Sequence, residues 1–235
     1  MTTEVRLLEY GMERNNEVET WEEVVLIYNS ALKEVGTKLE ILNDEFQHMH
    51  QYNPIEHIKS RLKTPQSIVK KLKKNNYEST IENMVKYVND IAGIRVICSF
   101  ISDIYRIAEM LIKQKDIQVI SVKDYIQNPK PSGYKSYHLI ITIPIFLSDR
   151  IVDAKVEIQI RTVAMDFWAS LEHKIHYKFE GNVPQHIKQE LVECANMSSE
   201  LDSKMLALNK EVQKLANANE EDKSNPEEPC MGEIP

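Results

Sequence analysis

The chain predicts an α+β fold, a mixed β-sheet flanked by helices, on three observations. Two long stripes of apolar residues, spaced three and four apart, bracket the sequence. Between them lie four short runs rich in Ile and Val, and one further helical segment interrupts those runs. The order helices, strand, helix, three strands, helices suits a single sheet with helices packed to one side. At 235 residues the chain is long enough to bury an ample core without staples. Its three cysteines, Cys98, Cys194 and Cys230, form no CxxC pair, so reduced thiols are expected rather than a disulfide framework or a zinc finger. The N-terminal residues contain no long apolar run, and no uncharged stretch has membrane-spanning length. The expectation is a cytoplasmic protein with no membrane partner.

Residues 1–17 alternate charge with short apolar groups and are expected to be flexible. From Val18 the apolar positions Trp21, Val25, Tyr28, Leu32, Val35, Leu39, Leu42, Phe46 and Met49 predict a long helix over 18–52. It should end near "QYNPIEH", because the residue before Pro54 is pushed out of helical geometry. "GIRVICSF" (93–100) reads as the first strand, and "SDIYRIAEMLIKQ" (102–114) as a helix with Ser102 available as its N-cap. "IQVISV" (117–122), "YHLIITIPIF" (137–146) and "AKVEIQIR" (154–161) read as strands. "FWASLEHKIHYKF" (167–179) is helical, with Trp168, Leu171 and Ile175 turned inward. After Pro184 the positions Ile187, Leu191, Cys194, Ser198, Leu201, Met205, Leu208, Val212 and Leu215 form a heptad-like stripe over 184–215. Residues 18–215 thus read as one domain with its core at 53–183, followed by a disordered acidic tail at 216–235. The two stripes need partners, which are each other, the core, or a second subunit.

A formal net charge of -7 hides a segregation of charge. "KSRLKTPQSIVKKLKKN" (59–75) carries Lys59, Arg61, Lys63, Lys70, Lys71, Lys73 and Lys74 and no carboxylate. A local cationic patch on an anionic protein suits a small polyphosphate better than a long duplex. "AKVEIQIR" puts Val156, Ile158 and Ile160 on one face of its strand and Lys155, Glu157, Gln159 and Arg161 on the other. "NDIAGIRVICSF" sets Asp90 before the first strand and Arg95 on that strand's polar side. If Glu157 faces the same side as Arg95, the two carboxylates can share one Mg²⁺, leaving its other positions to water and phosphate oxygens. Carboxylates, a divalent cation and a shell of Arg and Lys are the parts phosphoryl transfer requires. "NPKPSGYKSYH" (128–138) adds Lys130, Tyr134, Lys135 and His138, a flat aromatic face with three polar groups, enough to stack a base and hold phosphates. Neither Walker A nor GxGxxG occurs. Glu172, His173 and His176 lack the spacing of a zinc protease motif, and no His-Asp dipeptide is present for a metal-dependent hydrolase of that type.

The segments "YNPIEHIKSRLKTPQSI", "NDIAGIRVICSF", "KPSGYKSYHLII" and "VEIQIRTVAMDFWASLEHKI" resemble, in order and spacing, the synthetase domain of RelA/SpoT enzymes. They are most similar to the small alarmone synthetases of the RelP type, over residues 18–215. The resemblance implies a nucleotidyltransferase-like mixed sheet, a homotetramer, and transfer of pyrophosphate from ATP to the ribose 3′-hydroxyl of GDP or GTP. It implies an ATP site made of Arg61, Lys63, Ser67, Lys71, Lys74 and Arg95, and Mg²⁺ ligation by Asp90 and Glu157. Glu157, Asp90 and Arg61 are the implied catalytic set, with Glu157 orienting or deprotonating the attacking hydroxyl. Tyr134 is implied to stack on guanine, with Lys130, Lys135, His138 and Gln159 near the acceptor nucleotide.

The related RelQ type binds pppGpp at its tetramer centre, and the matching positions here are Gly36, Glu40, His57 and Asp166. A glycine and a glutamate in place of two lysines disfavour a polyanion, so activation by pppGpp is not expected. A rival reading is a non-enzymatic RNA-binding module that uses the basic patch and the aromatics. The paired carboxylates Asp90 and Glu157 argue against it, since a pure binder gains nothing from carboxylates beside phosphates. A nucleotidyltransferase with another acceptor is set aside only by the resemblance around Tyr134.

Overall fold

Thr20 and Glu23 start the first helix reciprocally. The Glu23 backbone N–H donates to Thr20 Oγ1 at 3.2 Å, and the Thr20 N–H donates to Glu23 Oε2 at 3.2 Å, the two halves of a capping box. The structure, a computed structural model, describes residues 18–50, 52–178 and 183–224, so the expectations for residues 1–17, Cys230 and the end of the tail fall outside the described residues. Helix α1 (Trp21–His50) falls within the predicted 18–52. Ile27, Tyr28, Ala31, Leu32, Val35, Leu39 and Leu42 are buried along it in the main core. Each such large side chain contributes about 1.5–3 kcal/mol of transfer free energy, whereas intrinsic propensities differ by tenths, so packing holds this helix. It lies against the sheet, in contact with four of its strands.

The chain then forms a strand that periodicity does not announce, β1 (Ile55–Leu62). Its apolar residues Ile55, Ile58 and Leu62 do not alternate, because a register shift falls between Ile55 and His57 and because this is an edge strand, where charge is tolerated. The cationic stretch is therefore split. Lys59 and Arg61 lie on β1, while Lys70, Lys71, Lys73 and Lys74 lie on α2 (Pro65–Lys74), which starts at an N-cap Thr64 followed by Pro65. A short helix α3 (Ile81–Tyr87), also unpredicted, follows with Thr80 as its cap.

Strand β2 (Ala92–Cys98) leads to α4 (Ile101–Ile112). Here Phe100 occupies the N-cap position in place of Ser102. Its N–H donates to the Asp103 carboxylate at 3.1 Å, the half of a capping box that the third helical residue supplies. Strands β3 (Gln118–Asp124), β4 (Tyr137–Phe146) and β5 (Ile151–Thr162) complete the sheet, followed by α5 (Val163–Lys178) and α6 (Gln185–Ser224). Trp168 is buried, but Leu171 is exposed. Helix α6 continues through Ser224 rather than ending at 215.

The sheet order is β1-β2-β5-β4-β3. The central pair β2 and β5 is parallel and the other pairings are antiparallel, so the sheet is mixed as expected. Helices α1 and α4 cover one face and bury Ile94, Val96, Val156, Ile158 and Ile160 against it. The alternation of β5 then sends Glu157, Gln159 and Arg161 to the opposite face. Helix α6 packs on α5 with Leu191 and Ala195, which join Trp168 and Ala169 in a second small core. The later part of its predicted stripe is turned to the surface, with Leu201, Met205, Leu208, Val212 and Leu215 all exposed. The stripe thus packs on this chain at Leu191 and is bare from Leu201 onward, a division the heptad pattern does not show. Among the described residues, no helix is long and apolar enough to cross a membrane.

Candidate active site

The register of the sheet builds the site. On the face away from α1, one transverse row runs Arg61 on β1, Gly93 on β2, Glu157 on β5 and Ile140 on β4. The next row runs Lys59, Arg95, Gln159 and His138 over the same strands. Side chains directly opposite in such rows are about 5 Å apart, so residues remote in sequence become neighbours. Gly93 contributes no side chain, which leaves a gap between Arg61 and Glu157. A cavity of 260 Å³ opens there, lined by Lys59, Arg61, Asp90, Arg95, Glu157 and Gln159. A larger hollow of 740 Å³ lies between Pro131, Ser132 and α6. Its walls are mostly apolar, and the converging charges mark the smaller cavity as the site.

Asp90 sits in the turn before β2 and receives Lys63 Nζ at 2.7 Å and Lys71 Nζ at 2.8 Å. Burial pushes its carboxyl up, but the hydrogen bonds and charges of the two ammonium groups outweigh that and hold it below its ordinary value. Lys71 reaches Asp90 because Ile68 and Leu72 anchor the other side of α2 in the core. Ser67 lies in the first turn of α2, where its Oγ accepts from Thr64 Oγ1 at 2.9 Å, and Lys74 stands exposed in the last turn. Arg95 Nε is a buried donor with no hydrogen-bond partner among the described residues.

Glu157 is likewise held ionised. Burial raises its pKa, His138 and Gln159 lower it, the Asp90 charge raises it again, and the net direction is down. Gln159 Nε2 donates to Glu157 Oε2 at 2.9 Å, and His138 Nδ1 lies 3.7 Å from Oε1. Two ionised carboxylates that feel one another across a small cavity are oxygen donors suited to a hard divalent cation. Such a cation needs only one or two carboxylates when water and phosphate supply the rest. Among the described residues no group of three or more His, Cys, Asp or Glu side chains could hold a metal unaided.

On the other side of Glu157 is the loop 128–138. Lys130 Nζ lies 4.7 Å from the ring centroids of both Tyr125 and Tyr134. The Tyr134 hydroxyl lies 2.8 Å from His138 Nε2 and accepts from Arg161 Nη2 at 2.6 Å. Since that hydroxyl already accepts from Arg161, its own proton is free to go to His138 Nε2, which leaves the Nδ1 proton directed at Glu157. His138 and Gln159 therefore stand beside Glu157, and Tyr134 and Lys130 join them through the Tyr134 hydroxyl and ring. Lys135 does not, because its ammonium donates to Ser199 Oγ on α6 at 2.6 Å.

Two residues outside the predicted set take part. Arg161 is buried and also bonds Gln159 and Asp166, and Asp166 in turn pairs with Arg95. The phase of β5 already placed Arg161 on the face of Glu157, but alternation alone does not distinguish a ligand from a solvated charge. Of the four positions compared with the pppGpp site of relatives, Gly36 and Glu40 lie on α1 and His57 is exposed on β1, while Asp166 faces inward to the two arginines.

The loop itself is fixed by Gly133, which has φ +87°, and a Cβ there would lie 2.6 Å from the Cβ of Ala195. Gly133→Ala is expected to destabilise the protein by about 2 kcal/mol through backbone strain and this clash, read as a lowered melting temperature. The depressed carboxyls predict a pH effect of definite sign. Asp90 and Glu157 contribute stability that is present above the ordinary carboxylate range and lost as the pH falls through their lowered values. Thermal stability should therefore decline below about pH 4, and Asp90→Asn should flatten that decline.

The family described as a region found in RelA / SpoT proteins matches residues 60–182. The GTP pyrophosphokinase YwaC of Bacillus subtilis is 50% identical over 195 residues, covering 83% of this chain and 93% of the relative. The crystal structure of small alarmone synthetase 2 from Bacillus subtilis superposes with a TM-score of 0.75 at 48% identity, over 82% of this chain and all of that one. Small alarmone synthetase 1 from the same organism, bound to its product pppGpp, gives a TM-score of 0.76 at 36% identity over 82% and 98% of the two chains. With identity at this level over most of both chains, and with the family's matched region containing the whole of β2 and β5 and the cavity residues Arg61, Asp90, Arg95, Glu157 and Gln159, the chain belongs to the RelA/SpoT family, among its small alarmone synthetases.

Proposed function

We propose that this chain is a GTP pyrophosphokinase that transfers the β,γ-pyrophosphoryl group of ATP to the 3′-hydroxyl of GDP or GTP. The products are ppGpp or pppGpp and AMP. One observation carries the reading. Asp90 and Glu157, both held ionised, face a single cavity with guanidinium and ammonium groups on one side and the Tyr134 loop on the other. Donor phosphates and a stacked acceptor base can thus meet at one carboxylate.

Arg61, Lys63, Lys71 and Arg95 bind the triphosphate, with Ser67 and Lys74 at the two ends of α2 extending that surface. Asp90 and Glu157 would hold Mg²⁺, which would supply neutralisation of charge on the triphosphate. Tyr134 stacks on guanine, while Lys130, His138 and Gln159 fix the acceptor beside Glu157. Glu157 takes the proton of the 3′-hydroxyl as its oxygen bonds to the β-phosphorus of ATP, and the bond from that phosphorus to the AMP oxygen breaks in line. The depressed pKa of Glu157 keeps it able to accept that proton at neutral pH.

The exposed apolar face of α6, from Leu201 to Leu215, supports assembly of a homo-oligomer, proposed to be a homotetramer of the RelP type acting in the cytoplasm. The glycine and glutamate at 36 and 40 support a rate that depends hyperbolically on substrate and is unchanged by added pppGpp. The test of the activity uses purified protein with Mg²⁺, GDP or GTP, and ATP labelled at the β or γ phosphate. Label on the guanosine 3′ position with AMP released is expected. No transfer, with RNA retained on the protein, would replace this reading by the binding module.

A further inference from the structure

Most charged residues at the cavity have an obvious nucleotide to meet, but Arg161 and Asp166 do not. Arg161 is 4% exposed, yet it carries a full charge two residues along β5 from Gln159, a residue that lines the cavity. Its guanidinium is distributed over four partners. It donates to Tyr134 Oη at 2.6 Å, Gln159 Oε1 at 2.9 Å, Asp166 Oδ1 at 3.0 Å and Ser136 Oγ at 3.4 Å. The first two partners belong to the acceptor side. The Asp166 oxygen that Arg161 meets is also the one that pairs with Arg95 Nη1, at 3.2 Å. A single carboxylate oxygen in the first turn of α5 thus ties a guanidinium of the donor side to the guanidinium that positions the acceptor side.

Physical reasons make this tie directional. Two guanidinium groups as close as Arg95 and Arg161 repel. Burial and then the Arg161 charge depress the pKa of Arg95, and Asp166 opposes them. Remove that anion and Arg95, the more exposed of the two at 33%, is the group free to swing away. Arg161 would lose one of the bonds that fix its plane, and Tyr134 and Gln159 depend on that plane. Asp166 therefore acts on both nucleotide sites while standing in neither nucleotide set.

We propose that Arg161 and Asp166 are positioning residues that hold the donor arginine Arg95 and the acceptor residues Tyr134 and Gln159 in one rigid unit. The proposal rests on the pyrophosphokinase reading for its naming of the two nucleotides. Geometry, not chemistry, is what the unit supplies. In-line attack needs the 3′-hydroxyl and the β-phosphorus aligned to within a fraction of an ångström, and two binding surfaces hung on one carboxylate cannot drift independently.

The test is a pair of variants, Asp166→Asn, which keeps size and one acceptor, and Asp166→Ala. Equilibrium titrations with a non-hydrolysable ATP analogue and, separately, with GDP would be made on wild-type and variant proteins, and steady-state transfer would be measured with each substrate varied. Both variants are expected to raise the dissociation constant and KM for both nucleotides about tenfold, Asp166→Ala more than Asp166→Asn. A purely structural role would lower the melting temperature and the active fraction, hence kcat, while leaving both dissociation constants alone. That result, or a change confined to one nucleotide, overturns the proposal. The binding arm separates the two claims. Wild-type protein that binds both nucleotides without transferring pyrophosphate would sink the activity reading, and the titrations would still decide the role of Asp166. If Asp166→Ala does not fold, Asp166→Asn carries the test alone.

Discussion

Glu157→Gln is expected to abolish pyrophosphate transfer, with a fall in kcat of about 10³-fold or more. The amide has the shape of the carboxylate and retains an oxygen to accept from Gln159, so the β5 row survives. What is lost is the negative charge that His138 and Gln159 sustain against burial and that completes the carboxylate pair with Asp90. Proton acceptance and cation binding both require that charge. The fold should be unaffected, because the strand is held from its other face by Val156, Ile158 and Ile160. The measurement is labelled-pyrophosphate transfer together with a thermal melt. Retained turnover by a folded variant removes Glu157 from the mechanism.

Tyr134→Ala is expected to raise KM for the guanosine nucleotide by about tenfold to a hundredfold while changing KM for ATP much less. Stacking of a base on an aromatic ring is worth about 1–3 kcal/mol, which sets this range. The variant also frees Lys130 from one of its two rings and strips Arg161 of one hydrogen-bond partner. The tie from Arg161 through Asp166 to Arg95 does not pass through Tyr134, and this is why the donor side should hold. Steady-state kinetics with each nucleotide varied in turn decide the matter. An equal loss on ATP would contradict the acceptor assignment of Tyr134.

How much of the site was legible follows from the kind of signal each residue carries. Glu157, Gln159 and Arg161 were readable as one face because a strand has a strict period of two, and β5 keeps it over its length. Asp90 was readable as a turn carboxylate, but its two lysine partners come from β1 to β2 geometry and from the rotation of α2, neither of which the run of lysines encodes. Lys135 looked equivalent to Lys130 in the same loop. One backbone reversal at Gly133 and the approach of α6 send it to Ser199 instead. Ser102 is a good cap residue that was passed over, because the helix starts two residues earlier, where the Asp103 carboxylate accepts from the Phe100 N–H at 3.1 Å and from Tyr52 at 2.7 Å.

The sequence by itself determined the helical stripe of α1, the strands β2, β4 and β5 with their inward faces, the segregation of positive charge into residues 59–75, and the motif order that marks the family. These are local or periodic properties, written in the spacing of apolar groups and in short runs of residues. It took the folded chain to show that β1 exists as a charged edge strand, that the α6 stripe faces outward from Leu201 on, and that Arg61, Gly93 and Glu157 form one row. Each of these depends on which strand pairs with which and in what register. Pairing energy is shared between segments far apart in the chain, so no window of sequence contains it, and the Arg161, Asp166 and Arg95 tie exists only once β2, β5 and α5 have met.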